Sequence, residues 1–332
     1  MTTSLATTYL GLELQSPIVV GAAAPLSSDL QRLQQLEREG AGAVVLQSLF
    51  LEQIERDWQE WIHHQEHNSE SHPEAISYLP SSEPQHLGLE GYLNEIRRTR
   101  DALSIPVIAS LNGNHPGHWL DAAMALQQAG ASAIELNLYS VPTSTRRSSA
   151  ELEHEQLEIV RQVCSAVALP VAVKLSPFYT ALASMARALA QAGAQGAVLF
   201  NRFLQPEVNI DTLETDVHLE LSHPEEQRLP LRWIGLLHGR VELELAASSG
   251  IASGRDVLRM LMVGAQTCQV VSALLRQGPG QLQHMHEEMI LWMEEQRIDN
   301  LATIRGSLSQ QRSPNPEAFE RAQYLRVLSS YS

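Results

Sequence analysis

The chain has 332 residues, 44% of them hydrophobic and 18% charged, with a formal net charge of −15. This describes an ordinary soluble globule able to bury a substantial core, and its acidity argues against nucleic acid as the main partner, since phosphate backbones are met by Lys and Arg patches. Two distant cysteines, Cys164 and Cys268, exclude a disulfide framework, give no basis for a cysteine-rich metal site, and fit a reducing cytoplasm.

Read from the N-terminus, MTTSLATTYLGLELQSP lacks the basic region and apolar run of a signal peptide. No apolar stretch reaches the ~18 residues of a membrane span. The first strand candidate, PIVVGAAA from Pro17, ends in the alanines Ala22–Ala24. A helical pattern, SSDLQRLQQLERE, then leads into EREGAGAVVLQ, a strand ending at Gln47 and Ser48. Residues 51–87 open as a helix and become rich in Ser, His, Pro and Glu. A long segment after a barrel strand usually has a task, so we read it as a lid-like insertion. His63 and His67 within it share a helical face, beside His64 and His72. Without an HExxH pattern or an evident third ligand, the cluster reads as a solvated loop and no metal is expected. Trp58 and Trp61 read as core or subunit contacts.

Beyond the insertion, helical patterns alternate with strands. GYLNEIRRTRDAL precedes PVIASLNG, and HWLDAAMALQQA precedes AIELN. ELEHEQLEIVRQVCSAV precedes PVAVKLSP, and ALASMARALAQA precedes AVLFN. VELELAASSG, RDVLRMLMV and TCQVVS follow. The stretch PLRW, Pro230 to Trp233, is ambiguous between meeting a ligand carboxylate and facing solvent, and HMHEE reads as an exposed helical face. The tail from about Asp299 reads as a helical segment packed on the outside or base. One pattern recurs in EREGAGAVVLQ, QQAGASAIELN, AQAGAQGAVLFN and LMVGAQTCQVVS: the last turn of a helix, a capping Gly, then a strand ending in a polar residue. Gly supplies the left-handed cap, and the unbroken apolar run suits a parallel strand buried on both faces. Eight strands alternating with helices predict a single-domain α/β fold, a (β/α)8 TIM barrel over residues 1–332. The GxGxxG fingerprint of dinucleotide-binding sheets is absent.

In such a barrel the site lies at the C-terminal ends of the strands. Those ends carry Ala22–Ala24, Gln47 with Ser48, Ser110–Asn112, Asn137 with Ser140, Lys174 with Ser176, Asn201, Ser248–Gly250 and Ser272. They form a ring of uncharged donors and acceptors plus one cation. A lysine inside AVKLSP must set its ammonium near a carboxylate, a ligand anion or water. Glu135 alternates with Asn137, faces the same side, and is a candidate partner. SSGIASGRDVL and VVSALLRQGPG fit the phosphate site that loops after the seventh and eighth barrel strands commonly build from backbone N–H groups and a helix N-terminus. Arg146 and Arg147 read as a solvent-facing pair.

Taken in order, SPIVVGAAAPL, GAGAVVLQSLF, PVIASLNG, AIELNLYS, PVAVKLSP, AVLFNRF, SGIASGRDVL and VVSALLRQGP resemble the FMN-dependent dihydroorotate dehydrogenase family, specifically its soluble branch, from Tyr9 to about Gly306. The resemblance implies that Lys174 stands beside the flavin ring and stabilises charge on its pyrimidine edge. It implies that Asn112, Asn137 and Asn201 lie near flavin or substrate, and that Ala22 and Ala23 let the ring approach; Ser48, among the polar strand ends, is a further candidate for cofactor contact. Ser249, Gly250 and Ser272 match the phosphate cradle. Ser140 falls where the family carries its catalytic base, although a lone serine is a poor base without a relay; neighbouring Tyr139 is the alternative. Departures cluster on the substrate side. Gln47 replaces a lysine, ISYLPSSEPQHLG replaces the loop for the orotate ring, Val141–Pro142–Thr143 stands where an Asn follows the base, RLPLRWIGLLHGRV replaces a Gly-rich segment, and Ser249–Gly250 replaces paired glycines. The expected function is therefore an FMN-dependent oxidoreductase acting on dihydroorotate or a related small molecule. A diverged barrel that binds a small ligand without turnover is the alternative. The resemblance also implies a homodimer; no nucleic acid or membrane partner is expected.

Overall fold

The computed structural model describes residues 3–51, 88–113, 119–138, 140–203, 205–217 and 220–320. Most of the lid-like insertion, with its four histidines and two tryptophans, lies outside the described residues, as do Tyr139 and the end of the tail.

Eight parallel strands close into a barrel. In chain order they are β3 (Ile18–Val20), β4 (Ala43–Phe50), β5 (Val107–Asn112), β6 (Ala133–Asn137), β7 (Val171–Leu175), β8 (Gly196–Leu199), β11 (Glu244–Ser248) and β12 (Thr267–Val270). These are the eight expected strands, and β5, β6, β7, β8 and β12 are buried at every position. The recurrent glycines Gly40, Gly130, Gly193 and Gly264 all hold φ between 94° and 121°, the left-handed region that an L side chain rarely adopts. The first strand is shorter than PIVVGAAA suggests: Pro25 starts a single helical turn, α1 (Ala24–Ser27), because its fixed φ suits a first helical turn.

The base of the barrel is closed by an element absent from the sequence reading. Strands β1 (Thr7–Tyr9) and β2 (Leu12–Leu14) pair as an antiparallel hairpin. Its turn residues Leu10 and Gly11 both have positive φ, as a tight primed turn requires. Tyr9, Leu10 and Leu14 enter the inner core beside the small residues Ala43, Ala133, Ala172 and Ala246. A Cβ at Gly196 would lie 2.8 Å from Leu10 Cδ2, which explains a glycine at the start of β8. The Leu10 amide donates to Glu244 Oε2 at 2.6 Å, so the inserted turn does not leave that donor unpaired.

Two further elements escaped the periodicity. A hairpin of β9 (Pro206–Asn209), exposed throughout, and β10 (Glu214–Val217) follows β8. The stretch PLRW lies in a helix, Arg228–Leu237, that no strand–helix pattern marked. Pro230 is tolerated in its first turn, and Gly235 provides clearance for Phe319 of the tail, since a Cβ there would lie 2.3 Å from the ring. The described tail contains two short 3₁₀ turns, Leu301–Thr303 and Pro316–Phe319. It lies against the outer helices, with Leu308 N donating to Met262 O and Gln310 N to Gly235 O.

Candidate functional site at the barrel mouth

Lys174, Glu135 and Gln269 meet inside the barrel. Lys174 Nζ donates to Gln269 Oε1 at 2.8 Å and lies 3.3 Å from Glu135 Oε1, while Gln269 Nε2 donates to Glu135 Oε2. Lys174 is 7% exposed, Glu135 2% and Gln269 3%. Strands β6 and β12 stand four places apart in the ring of eight, so the Glu135–Gln269 bond crosses the barrel. An ammonium has three donors; two are directed at these acceptors, and Lys174 also lines the cavity above. It is the only lysine in the chain, every other cationic side chain being arginine.

That cavity has a volume of about 310 Å³. Of the residues expected at the site it brings together Ala22, Ala23, Lys174, Asn201, Ser249, Gly250 and Ser272. Its wall at the end of β3 is a run of alanines, small enough for a flat ring to approach. Gln269, Arg202 and Ser222 also line it, and sequence reasoning did not single them out. Two strands away from the alanines in the ring, the chain leaves β11 through Ser249 and Gly250, with φ 77° and 71°. Serine thus holds the backbone conformation that glycine would adopt freely. A Cβ at Gly250 would meet Gln227 N at 2.6 Å, so this second position has no room for a side chain.

Ser222 knits the turn together. Gly250 N donates to its Oγ at 3.2 Å, and its hydroxyl donates to Ser272 Oγ at 2.9 Å. Arg276 fixes the same segment by donating to the carbonyls of Ser222 and Leu221, both at 2.7 Å. The following helix, Gly254–Val263, differs from the sequence expectation of amides free to hold an anion. Ala252 N and Ser253 N donate to Asp256 Oδ2 at 3.1 and 3.0 Å, and Gly254 N donates to Glu288 Oε2 at 2.7 Å. Internal carboxylates already serve these donors, leaving hydroxyls and the Ser249–Gly250 turn as the polar end of the cavity.

The remaining expected residues lie nearby but do not line this cavity. Asn201 Nδ2 donates to Asn137 Oδ1 at 2.7 Å, linking the tips of β6 and β8. Asn112 pairs in register with Asn137 and is buried. Ser48 Oγ is 2.8 Å from Ser110 Oγ, across a register shift between β4 and β5. The shift turns the Ser110 backbone toward Tyr92 of the helix Leu89–Ala102: Ser110 N donates to the Tyr92 hydroxyl at 3.0 Å, and the hydroxyl donates to Ser110 O at 3.3 Å. Gln47 turns its amide to Glu95 Oε2 at 3.3 Å. Burial raises the pKa of Glu95, against the lowering effects of the Gln47 bond and Arg98.

Ser140 lies elsewhere. It lines a second cavity of about 240 Å³ with Val141–Ser144, Arg147, Glu155 and Gln156. Arg147, read as solvent-facing, forms an ion pair with Glu155. The two cavities share no lining residue. Among the described residues no group of three His, Cys, Asp or Glu side chains could hold a metal, and no helix is long and apolar enough to cross a membrane.

With this geometry in place, comparison with known proteins is informative. The family model for dihydroorotate dehydrogenase matches residues 72–293. A putative dihydroorotate dehydrogenase A (fumarate) of Aeropyrum pernix is 30% identical over 207 residues, covering 60% of this chain and 67% of the relative. The dihydroorotate dehydrogenase B (NAD(+)) catalytic subunit of Thermoplasma volcanium is 25% identical over 306 residues, 91% of this chain and 97% of the relative. That of Methanothermobacter thermautotrophicus is 26% identical over 283 residues, 83% and 88%. A closed barrel with this ordered set of strand ends, matched by that family model over well over half of its length, belongs to the dihydroorotate dehydrogenase family.

Proposed function

We propose that the cavity at the barrel mouth binds FMN, and that the chain oxidises dihydroorotate or a related small molecule at a CH–CH bond. Family membership makes it an oxidoreductase of that class. The observation that carries the cofactor reading is the convergence of one ammonium, an alanine wall and a hydroxyl-lined turn on a single cavity. Its volume sits at the lower end of the ~300–1,000 Å³ typical of small-molecule sites.

Bound FMN would supply hydride acceptance. Lys174 presents fixed positive charge to the side of the ring where negative charge collects, without reorganising during reaction. Ala22 and Ala23 exclude water from one face. Asn137 and Asn201, already bonded to each other, orient ring or substrate from the neighbouring strand ends, with Ser48 and Asn112 beside them. Ser249, Gly250 and Ser272 hold the phosphate end, and we add Ser222 to that group. Ser140 takes the substrate proton, which requires substrate to bridge the two cavities. A homodimer, and a lid formed by residues 51–87, belong to the same proposal.

Two observations favour the alternative of a diverged barrel that binds a small ligand without dihydroorotate turnover. Ser140 opens on a separate cavity, and Gln47 is engaged with Glu95. Anaerobic mixing of dihydroorotate with the FMN-loaded protein separates the two. Bleaching of the yellow absorbance, slowed by about 10²–10⁴-fold in Ser140→Ala, supports turnover. Persistent colour rejects dihydroorotate as substrate.

A further inference from the structure

The barrel interior beneath the cavity contains a charge arrangement that the flavin reading does not require. Glu135 and Lys174 project from adjacent strands, and Gln269 reaches them from across the barrel. The Gln269 amide works in both directions: its oxygen accepts from the ammonium and its nitrogen donates to the carboxylate. Only one orientation of that amide satisfies both partners. All three side chains are buried, so little solvent screens the pair from the cavity above. The position also selects lysine over arginine. A guanidinium carries five donors in a rigid fork, whereas one carboxylate oxygen and one amide oxygen suit a compact ammonium. The chain uses arginine at every other cationic position.

We propose that Glu135 and Gln269 are positioning residues for Lys174, and that Glu135, by offsetting the ammonium, sets how strongly the cavity favours a negatively charged state of the bound ring. This rests on the flavin reading above. Two opposite signs follow. In Glu135→Gln the ammonium loses its counter-charge, so the flavin midpoint potential rises and the more reduced, more negative form gains affinity relative to the oxidised form. In Gln269→Glu a second carboxylate flanks the ammonium, and both quantities fall. The double exchange, E135Q/Q269E, restores one carboxylate and one amide on exchanged strands, so its potential returns toward wild type.

The sole lysine makes the test direct. Protein carrying isotope-labelled lysine gives one lysine side-chain resonance, measured first without flavin. That resonance should move in each single variant and return toward its original position in the double. An unchanged resonance in the single variants overturns the positioning role. With FMN loaded, the potentials should rank E135Q highest, wild type and double intermediate, and Q269E lowest. The ratio of reduced to oxidised affinity should change about tenfold per step, a conservative figure for one charge a few ångströms away in a partly hydrated interior. Equal potentials across the set overturn the charge-setting role. If E135Q fails to fold, Q269E and the double exchange still carry the sign. If wild-type protein does not bind FMN, the cofactor reading falls and the charge-setting role with it, while the lysine resonance still decides positioning.

Discussion

At the scale of single residues, several buried polar groups of the barrel mouth are held by specific partners, and burial favours the neutral form of an ionisable side chain. His286 illustrates the second case. Its Nε2 lies 2.7 Å from Ser16 Oγ, and the ring fills the space that a Cβ on Gly40 would need. Burial pulls its pKa below the ordinary value of 6.5. The folded protein therefore holds the neutral ring, while the unfolded chain takes up a proton once pH falls through the ordinary value. Stability is full above that range and declines as pH drops toward the depressed folded value. Urea denaturation at about pH 7.5 and 5.5, either side of the ordinary histidine value, should show an acid loss that shrinks in His286→Gln; an equal loss in both proteins contradicts this assignment. Residues of the site were legible to the extent that strand parity exposes them. Glu135 and Lys174 stood out because alternation along each strand turns them inward and a lysine in an apolar run demands a partner. Gln269 in TCQVVS has the same parity, but its partners stand on strands far away in sequence, and no local pattern announces a contact across a barrel. Ser222 was hidden for a similar reason, lying in a segment whose place is fixed by Arg276 and Ser272.

At the scale of elements, the register shift between β4 and β5 is held by a side chain from a helix. Tyr92 takes over both backbone groups of Ser110 through one fully buried hydroxyl, and burial together with nearby carboxylates raises its pKa further above the ordinary phenol value. Tyr92→Phe leaves the Ser110 amide unpaired and should cost about 1–3 kcal/mol of stability, measured by chemical denaturation; an unchanged midpoint would show that water or another donor replaces the hydroxyl. The eight barrel strands were readable because burial on both faces gives unbroken apolar runs and each recurrent glycine marks a helix end. The basal hairpin was not readable, since Thr7–Leu14 is short and its turn uses Leu10 where glycine or asparagine is usual. The β9–β10 hairpin escaped because Pro206–Asn209 is exposed throughout and carries no alternation to detect. The helix Arg228–Leu237 was obscured by Pro230 and Gly235, each of which has a local reason to be there.

At the scale of the molecule, the barrel divides its interior into an apolar base and a polar mouth. Tyr9, Leu10 and Leu14 seal the base, alanines make room for them, and the Glu135–Lys174–Gln269 bridge forms the boundary. Above it, the cavity combines the Lys174 ammonium and Arg202 with small and hydroxyl-bearing walls. The sequence anticipated this division through its ring of polar strand ends, although those ends separate into a group lining the cavity and a group, including Ser140, that does not. The central claim is that this mouth holds FMN against Lys174. Titration of the purified protein with FMN, followed by flavin fluorescence, tests it most directly. The account predicts one FMN per chain and binding weakened by about tenfold or more in Lys174→Arg, because the guanidinium fork does not fit a site built for a compact ammonium. Absence of binding by wild-type protein, or equal affinity in the variant, would contradict it.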